Sequence, residues 1–403
     1  MSSLPVVLPE RGPRLLSVVL DGEEVVYDPI RREAHLLNPT AALLLGRCDG
    51  QTSVTELIDE LQAAYGADRA TIEADVGDAL VGFAARRLVG PEPSADDVPP
   101  LPRPQPELVP ATDPLVVPEE WAVVTPVVHA LRSRLRVRSD EPVVGRYVEQ
   151  VLRSLLAPVD GPEHPEHTFD VVVGGPGPIR LLLDGREVGA TTTLDAAMSY
   201  LQWSVNQLAI DEADGAVLLH AAAVHAEGRI AVFPAASNSG KSTLAAGMVR
   251  AGLGYLTDEA VAIDLETGAV TAYPKPLSLD PGSWALFADV EPHIPDAPGL
   301  FFRNEWHLDP GTLNPGSLHG TLHGELSHVA LVAFPTYVAG GPTAFEPVSP
   351  AEGLLLLLQN SFNMTVARGP GLAALAGIAA SAQIVRLTVG DLRDAVDLIR
   401  TAL

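Results

Sequence analysis

The stretch Ala235-Ala236-Ser237-Asn238-Ser239-Gly240-Lys241-Ser242-Thr243 decides how the larger part of this chain is read. An apolar run, Ile230–Phe233, precedes it, and a helical pattern, Leu244–Ala251, follows. Strand, loop and helix in this order match the phosphate-binding pattern G-x-x-x-x-G-K-(S/T), with alanine in place of the first glycine. Successive backbone N–H groups of such a loop, together with the helix N-terminus, converge on one spot and favour an anion there. Ser237, Asn238, Ser239, Gly240, Lys241, Ser242 and Thr243 are therefore the nucleotide-binding set. Lys241 would bridge the β- and γ-phosphates, and the Ser242 hydroxyl would hold Mg2+. A nucleotide with Mg2+ is the expected ligand, and the resemblance given below makes that nucleotide ATP. Ala235 matters if the backbone there needs a positive φ, which glycine tolerates best. A coincidental loop, and a loop inherited from a nucleotide binder but no longer used, are the two other accounts.

Working outward, Ala216–Val224 reads as a buried strand with His220 inside it, and Gly228 turns the chain into the next strand. After the helix, Gly254-Tyr255-Leu256-Thr257-Asp258-Glu259 ends a short strand in two carboxylates. Beside a phosphate loop, paired acids suit a metal ligand and a general base; elsewhere they are a solvated turn. Further upstream, Val171–Val173 and Ile179–Leu183 read as strands, and Asp195–Ile210 as an amphipathic helix. Arg132, Arg134, Arg136 and Arg138 alternate with apolar residues as on one strand face, which is solvated or attracts an acidic peptide or phosphate. His164, His167, His319 and His323 fall in segments broken by proline or glycine and read as surface loops. Phe301, Phe302 and Trp306 either flap over the nucleotide or fill core, and Leu354–Leu358 reads as a buried helix.

The whole chain has 403 residues, 47% of them hydrophobic, enough for two or three domains with real cores. Its 26 basic and 51 acidic residues give a net charge of −25, which repels phosphate backbones and anionic lipid and argues against nucleic-acid and membrane partners. The lone Cys48 excludes an internal disulfide and a multi-cysteine zinc site and reads as a small core residue. The first residues lack the pattern of a signal peptide, and no apolar run is long enough to span a bilayer, so the expected location is cytoplasmic.

Prolines at 91, 93, 99, 100, 102, 104, 106, 110, 114 and 118 mark a semi-extended linker. The expected domains are thus residues 1–90, a linker over 91–118, and residues 119–403. In the first, Leu15–Leu20 and Glu24–Asp28 flank Asp21-Gly22, a hairpin signal. A short strand near Ala34–Leu37 precedes a helix capped by Asn38, with Pro39 in its first turn. Val54, Leu57, Ile58 and Leu61 give a second helix, and Ile72, Val76, Leu80 and Phe83 a third. The fold class is a small winged-helix-like α+β unit joined to a larger α/β unit with a mixed sheet.

Two resemblances carry the functional expectation. His35-Leu36-Leu37-Asn38-Pro39-Thr40-Ala41-Ala42, then Cys48-Asp49-Gly50, Thr52 and Val54, resembles the PqqD-like family, peptide-recognition domains of ribosomal peptide maturation, over about residues 14–90. The resemblance implies that a leader peptide adds as a strand to Glu33, Ala34, His35, Leu36 and Leu37. A docking or dimerisation domain of the same fold is the alternative. Leu218-Leu219-His220-Ala221-Ala222-Ala223-Val224, the phosphate loop, and Leu256-Thr257-Asp258-Glu259-Ala260-Val261 resemble the HPr kinase/phosphorylase family and its relatives, as does Tyr273-Pro274-Lys275-Pro276. This likeness runs over about residues 170–400. It implies that His220 and Asp258 are catalytic, positioning and deprotonating an acceptor hydroxyl, and that Ser242 and Glu259 hold the metal. Ala235, Glu259 and Asp280 depart from the family pattern.

Together these imply an ATP-dependent serine/threonine kinase that binds and phosphorylates a ribosomally made precursor peptide. The alternative is a non-catalytic scaffold that presents the peptide to other modifying enzymes. Kinases of this type often form oligomers, which the sequence leaves open.

Overall fold

The computed structural model describes residues 4–91, 106–156, 164–175, 177–236, 239–295, 297, 301–318 and 328–403. The chain divides into two compact units. Ser237, Asn238, His319, His323 and most of the proline-rich segment lie outside the described residues.

The first unit begins with an antiparallel sheet of β1 (Leu16–Leu20), β2 (Glu23–Asp28) and β3 (Glu33–Leu37), in that spatial order. Asp21 and Gly22 both have positive φ, 49° and 86°. That is the primed turn whose twist matches the flanking strands. Asp28 closes the next turn by accepting from the amides of Ile30 and Arg31, and its other oxygen takes the Arg14 guanidinium at 2.8 Å in a buried pair. Helices α1 (Pro39–Gly46), α2 (Val54–Tyr65) and α3 (Arg69–Ala85) follow. Asn38 caps α1 by accepting from Ala41, and Asp68 caps α3 by accepting from Ala70 and Thr71. The periodic apolar positions of α2 and α3 meet Val26, Leu37, Leu45 and Cys48 in one core. The Cys48 thiol donates to the Leu44 carbonyl, and burial pushes its pKa up to about 11.

Residues 348–359 and 364–380 also belong to this unit, whereas the sequence expectation placed them in a continuous domain from 119 to 403. The helix Pro350–Gln359 lies across β3 and β2. Val25 and Tyr27, which point away from Val26, are as buried as it is. The small sheet is therefore covered on both faces, and the apolar run at Leu354–Leu358 is explained by what it covers.

The second unit holds a large mixed sheet. Its spatial order runs Val270–Thr271, Ala260–Asp264, Ala216–Ala226, Arg229–Pro234, His328–Tyr337, Gln383–Val389 and Ala344–Pro347, and Gly254–Thr257 also pairs with Ala216–Ala226. Arg229–Pro234, His328–Tyr337 and Gln383–Val389 are parallel neighbours; the other pairs are antiparallel. The helix Lys241–Arg250 packs on Ala216–Ala226 and on the helix Leu392–Ala402.

A second sheet contains Ser133–Ser139, His167–Val172, Ile179–Leu183 and Arg186–Thr191 in that order, with Val123–Val124 and Val128–Ala130 both paired to Ser133–Ser139. The helix Leu194–Asp211 packs against it. Residues 106–113 are pinned rather than free: Val109 donates to the Ala190 carbonyl, and Arg180 donates to that of Asp113. The arginine ladder is largely neutralised within the fold, Arg138 by a two-pronged bond to Asp170 at 2.7 and 2.8 Å and Arg134 by Glu166 at 2.7 Å. His167 is not a loop residue but the first residue of a strand, bonded to Asp184 at 2.8 Å and Glu212 at 2.6 Å. Phe301 and Phe302 pack on Tyr147, and Trp306 stacks on Trp284 at 4.9 Å, so all three fill core. No helix among the described residues is long and apolar enough to cross a membrane.

Candidate functional site

The strand Arg229–Pro234 ends where the phosphate-loop pattern begins, and Gly240 makes the turn into the helix at φ 87°. That left-handed conformation favours glycine, and nothing crowds the position a Cβ would take. Lys241 is buried, and its ammonium donates to the carbonyls of Ala235 and Ala236, both at 2.8 Å. Burial holds its pKa below the usual lysine value, against the pull of Glu259 and Asp258. The Ser239 hydroxyl is buried with no hydrogen-bond partner among the described residues. An unsatisfied buried hydroxyl is costly unless a ligand completes it.

Asp258 follows the strand Gly254–Thr257, and its carboxylate is held on both oxygens. One takes the Lys275 ammonium at 2.8 Å and the Tyr255 hydroxyl at 3.0 Å; the other takes the Ser278 amide at 3.1 Å. Burial alone would raise its pKa. The Lys275 charge, and hydrogen bonds from Lys275, Ser242 and Ser278, outweigh burial and hold Asp258 below the usual carboxylate range. Lys275 is raised in turn, because Asp258 and Glu259 outweigh its own burial. The pair is therefore ionised at neutral pH.

Glu259 behaves in the opposite way. Burial raises its carboxyl, with Asp258 adding to the effect and Lys275 opposing it. Its Oε1 lies 3.8 Å from His220 Nε2. The His220 ring packs on Phe362 at 5.2 Å, and its amide donates to the Asn360 carbonyl at 2.7 Å. Burial, then the charge of Lys241, lowers His220 to about 4, so the imidazole is neutral at pH 7.

A two-stranded ribbon, Leu277–Leu279 with Trp306–Leu308, completes the site. Its register sets Ser278 opposite His307. Glu305, one residue before the ribbon, lies 3.5 Å from His307 Nε2. Burial, then Lys275, lowers His307 to about 3, and burial raises Glu305.

Gly240, Lys241, Ser242, Thr243, Asp258, Glu259 and His220 thus line one cavity of about 430 Å³, with Ser278, Glu305 and His307 on the same wall system. That is within the range of small-molecule sites, roughly 300–1,000 Å³. Sequence reasoning missed Glu305 and His307, which sit far from any motif and reach the cavity only through the ribbon's register. Lys275 lay in a quoted motif, but its pairing with Asp258 was not readable.

The residues fit a nucleotide with its cation. The buried Ser239 hydroxyl, without a partner among the described residues, the Lys241 ammonium and the amides at the start of the helix suit phosphates. Ser242 is near enough to Asp258 to help hold its carboxyl down, and both line the same cavity, as two ligands of one Mg2+ would need to be neighbours. Among the described residues no three His, Cys, Asp or Glu side chains form a metal cluster by themselves. Magnesium in nucleotide sites commonly takes one or two protein ligands and completes its shell with phosphate and water.

In the first unit, Glu33–Leu37 forms the outer strand of its sheet, paired only to β2 among the described residues. Glu33 is exposed, and Ala34, His35 and Leu36 are half-buried. Next to it, a largely apolar cavity of about 460 Å³ is lined by Ala41, Leu44, Leu61, Ile72 and Val76, with Leu43 and Tyr65 exposed at its rim.

Residues 23–89 match the family described as Coenzyme PQQ synthesis protein D (PqqD). The match lies inside the span over which the sequence resembles that family. A solved structure, TbiB1 in complex with the TbiA(beta) leader peptide, is similar at 22% identity, covering 20% of this chain and 93% of its own, with a TM-score of 0.19. No curated protein matches the chain.

Proposed function

We propose that this protein captures a ribosomally made precursor peptide on its first unit and phosphorylates a serine or threonine of that peptide in the cavity of its second. The observation that carries the reading is the convergence of Lys241, Ser242, Asp258, Glu259 and His220 on one cavity. The PqqD match at 23–89 supports the peptide half, with β3 as the strand that the peptide extends. The segment joining the units makes delivery of the acceptor effectively intramolecular.

Magnesium ATP would supply the phosphoryl group and balance its charge. Ser239, Gly240, Lys241 and Thr243 would hold the phosphates, and Ser242 with Asp258 the cation. Here the geometry favours exchanging the roles that the sequence assigned to Asp258 and Glu259. A carboxylate already tied by Lys275, Tyr255 and Ser278, with a depressed pKa, is a poor proton acceptor and a good permanent anion. Glu259, with a raised pKa and a neutral histidine beside it, is the better base for the acceptor hydroxyl, and His220 orients it.

The test is transfer of labelled γ-phosphate to a candidate precursor peptide that the first unit binds. Label on serine or threonine is expected, abolished by Lys241→Ala and cut at least 100-fold by Glu259→Gln. The same engagement of Asp258 favours a second reading, a scaffold without turnover that holds the peptide for other modifying enzymes. Peptide binding with no label, and no ATP binding by calorimetry, selects that reading and sinks the first.

A further inference from the structure

We propose that one face of the helix Leu194–Asp211 is the base-recognition end of the cavity, built for adenine and against guanine. The inference rests on the nucleotide-site reading above and names the residues that select the base of its nucleotide. Ser199, Gln202, Trp203 and Asn206 all line the cavity that Lys241 and Asp258 line. Their spacing, i, i+3, i+4 and i+7, puts them on one helical stripe. The neighbouring positions Met198, Leu201 and Val205 are buried in the core, so the helix is fixed by one face and offers the other to the cavity.

Trp203 supplies an aromatic plane. It is half-buried and held against the Tyr200 ring at 5.3 Å. Stacking on such a plane gives affinity for any base, since every base has a π-face. Selectivity has to come from the two carboxamides, and each is oriented by a tyrosine. Gln202 donates its Nε2 to the Tyr147 hydroxyl at 2.5 Å. Asn206 accepts at Oδ1 from the Tyr273 hydroxyl at 2.6 Å. Both tyrosines are buried. Gln202 is left with an acceptor, Oε1, and Asn206 with a donor, Nδ2, neither with another partner among the described residues.

One acceptor and one donor, a helical turn apart, complement an adenine edge. Adenine offers the N6 amino donor beside a ring-nitrogen acceptor. Guanine offers two acceptors on one edge, N7 and O6, and the opposite order of donor and acceptor on the other. Phosphates tied to Lys241 fix the direction from which the ring arrives. Guanine would then leave a carboxamide atom facing a like group, and the cost of such unpaired polar groups is what selects against it.

The experiment uses the full chain with Mg2+ and three probes: ATP, GTP and inorganic tripolyphosphate. Calorimetry should show ATP binding at least tenfold tighter than GTP, and ATP should quench tryptophan fluorescence. Trp203→Leu should remove the quench and weaken ATP about tenfold without changing tripolyphosphate. Asn206→Asp keeps an oxygen for the Tyr273 hydroxyl and replaces the donor by an acceptor. It should lower the ratio of ATP to tripolyphosphate affinity at least tenfold. Equal affinities for all three probes, insensitive to both variants, overturn the adenine site and leave the phosphate-loop reading standing. No binding of any probe overturns both.

Discussion

Along β3, five residues of mixed character present a main-chain edge, while around Lys241 the helix-start amides are joined by side chains drawn from six separate segments. The first kind of site asks little of any one side chain. Its ladder of N–H and C=O groups exists whatever the residues are, provided none is proline. The second kind depends on particular atoms in particular ionisation states. Substitutions should therefore separate the two regions sharply, in stability as well as in binding.

The largest expected effect breaks the buried pair in the cavity. Lys275→Met leaves the Asp258 carboxylate buried with its charge unbalanced, which should cost about 3–5 kcal/mol of stability in urea unfolding. Adding Asp258→Asn should recover much of that loss. On β3, Glu33→Gln removes a charge that is half-exposed to water and should stay within about 0.5 kcal/mol. A mild effect at Lys275 would mean that Asp258 is neutral in the folded chain, and its assignment as a permanent anion would fail.

Acid should expose the same contrast. His220 is held at about 4, well below the ordinary histidine value near 6.5. The unfolded chain takes up this proton as pH falls below 6.5, and the folded chain does so only near 4. Stability is thus full above about 6.5 and declines as pH drops toward 4, by about 3 kcal/mol from His220 alone. His307, held at about 3, adds a loss of the same sign. His167 has the reverse sign. Burial would lower it, but Asp184 and Glu212 outweigh burial and raise its pKa, so its contribution is full in acid and fades as pH rises through the raised value. Unfolding free energies measured between pH 4 and 7 should fall with acid in the wild type and flatten in a His220→Gln, His307→Gln double variant.

What the sequence reveals follows the same division. The hairpin at Asp21-Gly22, the cap at Asn38 and the buried stripes of α2 and α3 are local signals, since each depends on residues within a turn or two of one another. The strand Arg229–Pro234, the turn at Gly240 and the helix after it are legible for the same reason, as is the Asp258-Glu259 pair at the end of a strand. The Ser133–Thr191 sheet was harder to read, because its strands are short and several carry charged residues that pair across strands, Arg138 with Asp170 and Arg180 with Glu187. Glu305 and His307 needed the ribbon register. Nothing in the run Leu354–Leu358 says which sheet it will cover, and it covers the small one, far back in sequence.

On the peptide side, Ala34→Pro and His35→Pro form an informative pair. Neighbouring residues of an edge strand point their amides in opposite directions, one toward β2 and one outward. One of the two prolines should disturb the sheet itself. The other should leave the far-UV circular dichroism unchanged and weaken the precursor peptide about tenfold, through loss of an outward donor and the ring's bulk. Unchanged peptide affinity in the well-folded variant would move the binding surface off β3, toward the apolar cavity beside α3.

A smaller effect than that of Lys275 lies at the junction of these two features. Asn38 follows β3 and caps α1, with its Oδ1 accepting from the Ala41 amide at 2.9 Å, and it also borders the apolar cavity. Asn38→Ala should cost about 1 kcal/mol, the usual value of such a cap. Asn38→Asp keeps the acceptor, adds a negative charge at a helix N-terminus, and should restore that loss. If the peptide uses only the β3 main chain, its affinity should be the same in both variants. If it reaches past Leu37 into the cavity, the added carboxylate should change affinity while stability stays at the wild-type value. Constant affinity while stability changes is what a main-chain site predicts, and changed affinity at wild-type stability is what the cavity predicts.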